Sequence, residues 1–261
     1  MIEYGLAIKQ KLARGEVVFG SFLHLPCPDV VEVFGVAGFD LVILDTEHGT
    51  MGFERLQDMV RAADVHRMAA IVRIPAGAYQ RILSVLEVES SGIVVPHVND
   101  AEAARQVIRE AKYYPLGCRG LAATVRAGDY GTADIAEYCR RANEGTLVVV
   151  QIENPTAAER SGDIAAVEGI DMLLVGPRDM SQSVGEPGNV DHPKVIHAME
   201  QVVAAARANR KVASTFAGNL EFARQAITMG FQTIFYACDT ILMSHVVRQT
   251  IRSLRQLAES R

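Results

Sequence analysis

The sequence predicts an α/β protein, a (β/α)8 TIM barrel formed as one domain over residues 1–261. Three observations carry this expectation. Eight short apolar runs recur along the chain, several of them near-continuous Val, Ile and Leu, as in parallel strands covered on both faces. Amphipathic stretches of helical period lie between them, and about 250 residues is the usual size of one such barrel. The turn after the first run, His24-Leu25-Pro26-Cys27-Pro28, has no glycine. A doubly wound nucleotide-binding sheet would carry a Gly-rich turn there.

Taken in order, strands are expected at 17–24, 39–45, 69–74, 92–98, 147–153, 171–177, 211–216 and 233–239. The first helix, 29–38, opens on a capping aspartate, Asp29, and closes on Gly38. The same apolar period marks helices at 53–66, 78–89, 100–112, 192–209, 219–229 and 240–257. Two connections are long, 113–146 after the fourth strand and 179–191 after the sixth. Long loops on the strand-exit face of a barrel usually serve function.

Composition excludes several classes. Hydrophobic residues make up 49% of the chain, charged residues 22%, and the net charge is −5, the profile of a globular protein. There is no basic run or aromatic-rich patch, so no nucleic-acid partner is expected. Charge interrupts every apolar stretch before a membrane span is reached, and the start, Met1-Ile2-Glu3-Tyr4-Gly5, lacks the marks of a secretory signal. Cys27, Cys118, Cys139 and Cys238 are widely spaced with no C-x-x-C pair, which suits reduced thiols in a cytoplasmic protein.

In a barrel the chemistry sits at the C-terminal ends of the strands. Those ends carry His24, Asp45-Thr46-Glu47-His48-Gly49, Arg73, Pro96-His97, Gln151-Ile152-Glu153, Gly176-Pro177-Arg178-Asp179, Thr215 and Asp239. Glu153 and Asp179 are read as closing consecutive strands. Two carboxylates aimed at one point repel unless a cation or shared proton lies between them. A hard divalent ion, Mg or Mn, fits two carboxylates plus water; pairing of each acid with an arginine is the plainer alternative. The turn Arg178-Asp179-Met180-Ser181 reads as a helix start whose free N–H groups can take an anion such as the carboxylate of a 2-oxo acid. Arg73 offers a planar cation for an enolate oxygen, or a structural ion pair. His48, beside Asp45 and Glu47, is a candidate general base. His24 and His97 have no obvious partner in the sequence. There are only five lysines, Lys9, Lys11, Lys112, Lys194 and Lys211, and none closes an expected strand. A Schiff-base route is therefore disfavoured, and an aldolase on this scaffold would need a metal.

The motifs Asp45-Thr46-Glu47-His48-Gly49, Val72-Arg73, Val95-Pro96-His97-Val98-Asn99, Gly117-Cys118-Arg119-Gly120, Gln151-Ile152-Glu153-Asn154-Pro155 and Gly176-Pro177-Arg178-Asp179 occur in this order. Over about residues 15–250 the chain resembles the HpcH/HpaI group of metal-dependent class II pyruvate aldolases. The resemblance implies cleavage or formation of 4-hydroxy-2-oxo acids, from pyruvate and an aldehyde, through a metal-bound pyruvate enolate. It implies Glu153 and Asp179 as ligands of a divalent metal (Mg or Mn, with Co or Zn as alternatives) and Gln151 close by. It implies Arg73 on the enolate, His48 in the acid–base relay through a water, and the backbone amides of Arg178 and Asp179 on the pyruvate carboxylate; Asp45, beside His48, is a further catalytic candidate. The resemblance pairs the histidine with an acid that aligns with Glu87. Glu87 falls late in the third helix, which runs away from the mouth, so it can serve only a neighbouring subunit. The resemblance accordingly implies a homohexamer, with the last helix exchanged between partners. Three positions depart from the family: Arg178 stands where a small residue is usual, Leu121-Ala122-Ala123-Thr124 lacks the usual glycine and serine, and Phe235-Tyr236-Ala237-Cys238 is bulkier than the usual turn before Asp239. The rival readings are a CoA-thioester lyase of the citrate or malyl-CoA kind and a non-catalytic 2-oxo-acid-binding barrel.

Overall fold

Alternation within each strand decides where the site lies. In a computed structural model, which describes residues 1–259, eight parallel strands close a barrel in sequence order: β1 (Val18–Leu23), β2 (Leu41–Asp45), β3 (Ala69–Arg73), β4 (Gly92–Val95), β5 (Leu147–Ile152), β6 (Met172–Val175), β7 (Val212–Ala217) and β8 (Thr233–Cys238). Side chains of successive strand residues point to opposite faces. Leu41 and Ile43, Ala69 and Ile71, Leu147 and Val149, and Met172 and Leu174 fill the interior with Val18, Phe22 and Phe235. Val42, Leu44, Val72, Val148, Val150 and Leu173 face outwards into the layer under the helices. Continuing the inward rows by one step puts Asp45, Arg73 and Gln151 at the mouth, above a packed floor.

Among the described residues twelve α-helices surround the barrel: α1 (Ile2–Ala13), α2 (Pro28–Val36), α3 (Phe53–Val65), α4 (Arg81–Glu87), α5 (Ala101–Ala111), α6 (Ile135–Gly145), α7 (Pro155–Glu159), α8 (Ser161–Ala165), α9 (Pro177–Ser183), α10 (Pro193–Ala208), α11 (Leu220–Met229) and α12 (Asp239–Glu259). Local chemistry fixes several of their starts. The side chains of Asp100, Asp134, Asn154 and Asn219 accept from backbone N–H groups of the first turn. Proline occupies the first turn of α2, α7, α9 and α10, where its missing N–H costs nothing. Gly230 ends α11 at φ 114°, in the left-handed region that favours glycine.

All eight expected strands are present, with ends trimmed by up to three residues, as in the fourth, which stops at Val95, and with the seventh carried one residue further, to Ala217. The sixth ends at Val175, and Gly176 turns the chain into α9, so Asp179 lies in the first turn of the helix whose start the sequence places at Arg178–Ser181, and not at a strand end. The free energy of a strand there is not available, because Pro177 has no N–H for a ladder. Helices α1, α6, α7 and α8 were not expected from the sequence. Lys112 pins the long fourth connection by donating to the carbonyls of Asn143 and Thr146, both at 2.8 Å, from a position 1% exposed.

Candidate active site

The mouth is organised around Asp45. It is 0% exposed and sits opposite Arg73 in the β2–β3 register. Arg73 donates from Nε to Oδ1 at 2.9 Å and from Nη2 to Oδ2 at 2.5 Å, a two-pronged contact that fixes the guanidinium plane. His24 Nε2 lies 2.8 Å from Oδ2. The backbone N–H groups of Glu47 and His48 also donate to Oδ1. Burial alone would raise the Asp45 carboxyl, but the hydrogen bonds from His24 and Arg73 more than offset it and hold the group well below the usual carboxylate range. Arg73 also approaches Glu47 Oε2 at 3.4 Å and lies over the Phe22 ring, 4.9 Å from its centroid. It is locked on the cleft wall with its guanidinium charged.

A second group forms between β4, β5 and α9. Glu153 follows β5, is 5% exposed, and accepts the His97 backbone N–H at 2.8 Å; His97 Nδ1 lies 3.1 Å away. That contact is possible because His97 turns its backbone to φ 55°. Gln151 Nε2 donates to Glu153 Oε1 at 3.0 Å, and Gln151 Oε1 is buried without a hydrogen-bond partner among the described residues. Burial raises the Glu153 carboxyl; His97 opposes this, and the negative charges of Asp179 and Glu47 add to it. The two acids meet at Gly176: a Cβ there would lie 2.9 Å from Asp179 Oδ2 and 3.7 Å from Glu153 Oε1. A side chain at position 176 would fill the space that the two carboxylates border.

Between the two groups lies a cleft of about 240 Å³, lined among others by His24, His48, Arg73, Gln151, Arg178 and Asp179. A larger cavity, about 610 Å³, opens at the opposite, N-terminal end around Lys9, Asp171 and Lys211, away from these strand-exit residues. His48 is exposed on the cleft, with Nε2 3.8 Å from Glu47 Oε2. Its link to Asp45 runs through the backbone N–H, so the acid that sequence adjacency paired with the imidazole instead holds the loop. Arg178 extends over Phe216, 5.6 Å from the ring centroid. Glu87, the last residue of α4, is half-buried and does not line the cleft.

A family model described as HpcH/HpaI aldolase/citrate lyase matches residues 19–246. The chain belongs to this family. It is a carbon–carbon lyase. The 2-keto-3-deoxy-L-rhamnonate aldolase of Escherichia coli (strain K12) is 32% identical over 244 residues, 93% of this chain and 91% of the relative. Among solved structures of the family, the HpcH/HpaI aldolase from Desulfitobacterium hafniense DCB-2 superposes with a TM-score of 0.89 at 30% identity, over 95% of this chain and 96% of that one. The citrate synthase SbnG superposes with a TM-score of 0.88 at 29% identity, over 96% and 98%.

Sequence reading missed two partnerships. His24 and His97 were without evident partners, yet His24 meets Asp45 and His97 meets Glu153. Both pairs join the exits of neighbouring strands, β1 with β2 and β4 with β5, so strand order was the signal that could have found them. Asp239 was also left without a role. Its carboxylate accepts the backbone N–H groups of His24, Leu25 and Thr240, tying the β1 exit to the start of α12.

Proposed function

We propose that the protein is a divalent-metal-dependent class II pyruvate aldolase, cleaving or forming 4-hydroxy-2-oxo acids from pyruvate and an aldehyde. The observation that carries this reading is the meeting of Glu153 and Asp179 at Gly176, next to the unpartnered oxygen of Gln151. The donor set fits a hard cation: every donor is oxygen, and burial with neighbouring negative charge already opposes ionisation of Glu153. Glu153 and Asp179 would hold the ion, with Mg or Mn preferred and Co or Zn as alternatives. When bound, the metal supplies Lewis-acid polarisation of the 2-oxo group.

The remaining roles fall to the chain. The N–H groups of Arg178 and Asp179, in the first turn of α9, have no intrahelical acceptor and suit the carboxylate of a 2-oxo acid. His48, acting through a water, takes the proton of the C4 hydroxyl. As the C3–C4 bond breaks, its electron pair moves towards the keto oxygen, where Arg73 faces the developing charge. Asp45 and Glu47 hold Arg73 still, so little reorganisation accompanies the step. The aldehyde then leaves and C3 is reprotonated.

The assembly is a cytoplasmic homohexamer of single-domain chains in this reading. The four cysteines are free, which suits a reducing compartment. Helix α12 buries only Asp239 and carries Met243, Val246, Val247 and Leu254 exposed, an apolar face suited to exchange with a neighbour. The partner subunit's Glu87 would then complete the relay at His48.

The test is exchange of the pyruvate methyl protons with deuterium oxide. Wild-type protein stripped of metal is expected to be inert and to regain exchange with Mg or Mn. Exchange that survives stripping, or never appears with any divalent ion, overturns the reading.

A further inference from the structure

We propose that Cys238 is a nucleophilic thiol of the cleft, served by His24 and Asp45, which takes up an aldehyde reversibly as a hemithioacetal. The choice of aldehyde rests on the aldolase reading; the activated thiol does not. Cys238 Sγ, an imidazole nitrogen of His24 and a carboxylate oxygen of Asp239 all lie within 4.8 Å of one another. The same imidazole is held by Asp45, with Nε2 2.8 Å from Oδ2. Thiol, imidazole and carboxylate thus stand in the order in which a base activates a nucleophile and an acid orients the base. Cys238, 4% exposed, and His24 both line the cleft, together with Phe22, Phe216 and Ile241, so the cleft is the side from which an aldehyde would approach the sulfur.

The backbone is bent to place this sulfur. The β1–β8 register shifts between Gly20 and Phe22, which sets Cys238 opposite Phe22, two residues before His24. Ala237 adopts φ 52°, a left-handed conformation unfavourable for alanine. Backbone outliers of this kind gather at working residues. The electrostatics agree. The Asp45 hydrogen bond holds the His24 proton up to about 10. Burial would raise the Cys238 thiol, but hydrogen bonds from His24 and Thr240 more than offset this and lower it. The same three residues, His24, Cys238 and Asp239, have the composition of a metal site, but the Asp239 oxygens are already taken by three backbone N–H groups.

In the step, the C–S bond forms as the carbonyl π bond breaks. The proton that the thiol has given to His24 passes to the former carbonyl oxygen. No oxidant or further reactant is consumed, and reversal frees the aldehyde.

Two measurements on the intact protein test this. Iodoacetamide labelling, read by peptide mass spectrometry, is expected to modify Cys238 at least about tenfold faster than the exposed Cys118, and His24→Asn is expected to remove that advantage. With carbonyl-labelled ¹³C-acetaldehyde and no pyruvate, wild-type protein is expected to give a hemithioacetal carbon resonance. Both Cys238→Ser and Cys238→Ala should lack it. Equal labelling of the two cysteines, an advantage that survives His24→Asn, or a resonance that is absent from wild type or persists in the Cys238 variants overturns the proposal. Failure of pyruvate proton exchange would instead overturn the aldolase reading, because neither measurement here requires turnover.

Discussion

Arg73 carries two loads that can be separated by substitution. Its fork neutralises Asp45, which is fully buried, and its outer edge faces the cleft. Arg73→Ala leaves the buried Asp45 carboxylate with His24 and two backbone N–H groups, so a loss of stability below the about 3–5 kcal/mol of a fully unpaired buried charge is expected alongside loss of pyruvate proton exchange. Arg73→Lys keeps a cation without the planar fork. Exchange is expected to fall by about 100-fold or more in that variant, while Mn²⁺ binding at Glu153 and Asp179 is unchanged; urea denaturation, the exchange assay and a Mn²⁺ titration read the three effects. His24 gives a pH signature. The folded protein holds its proton up to about 10 against an ordinary 6.5, so its contribution to stability is complete below about pH 6.5 and is lost as pH rises through about 10. His24→Gln is expected to flatten the fall in melting temperature over that interval, measured by circular dichroism. The sequence displayed Arg73, Gln151 and Glu153 because each extends an inward row of a strand. It did not display the His24–Asp45 and His97–Glu153 contacts, since those depend on which strand exits lie side by side.

At the scale of elements, close approach of backbones decides which small residues matter. A Cβ on Gly92 would press on the Leu147 carbonyl across the β4–β5 pairing, and no flexible side chain there can give way. Gly92→Ala is expected to destabilise the fold by about 1–3 kcal/mol. Gly162→Ala, in helix α8 with open space around it, is expected to be neutral or to stabilise by up to about 1 kcal/mol. Shifts in the urea midpoint at constant m-value distinguish the two. The buried strands were legible because their apolar runs are dense. Helix α1 was not, because only Gly5, Ile8 and Leu12 of its twelve residues are buried. Helix α6 did carry a readable start: Asp134 accepts from Ala136 and Glu137 N–H groups. It was hidden inside a connection whose length suggested a loop. The helix start at Arg178–Ser181 is legible in the sequence and is present as α9; the apolar run that continues to Pro177 nonetheless suggests a strand end for Asp179, which lies in the first turn of that helix.

The whole molecule has an unfinished surface. Between α2 and α12 lies an apolar groove of about 440 Å³ lined by Val33, Phe34, Leu242, Met243, Val246 and Val247. A second copy of the chain, exchanging α12, would cover it in the proposed hexamer. Val247→Glu is expected to shift the sedimentation coefficient towards smaller species. Co-expressed Arg73→Ala and Glu87→Ala subunits, each inactive alone, are expected to regain aldolase activity in mixed assemblies, because one site then receives both Arg73 and the partner's Glu87. Mixed assemblies that stay as inactive as either parent, or full activity of Glu87→Ala on its own, would argue against a shared site. The barrel itself was legible from its eight strands and seven helices; its assembly was not, because an exposed apolar helix face does not name what covers it.

Metal-dependent aldolase chemistry at this site requires Glu153 and Asp179 to hold one ion together, and a Mn²⁺ titration followed by electron paramagnetic resonance measures that directly. Wild-type protein is expected to bind a single ion per chain, and Glu153→Gln and Asp179→Asn are each expected to lose that site while remaining folded. Undiminished binding in both variants, or no binding by wild type, would contradict it.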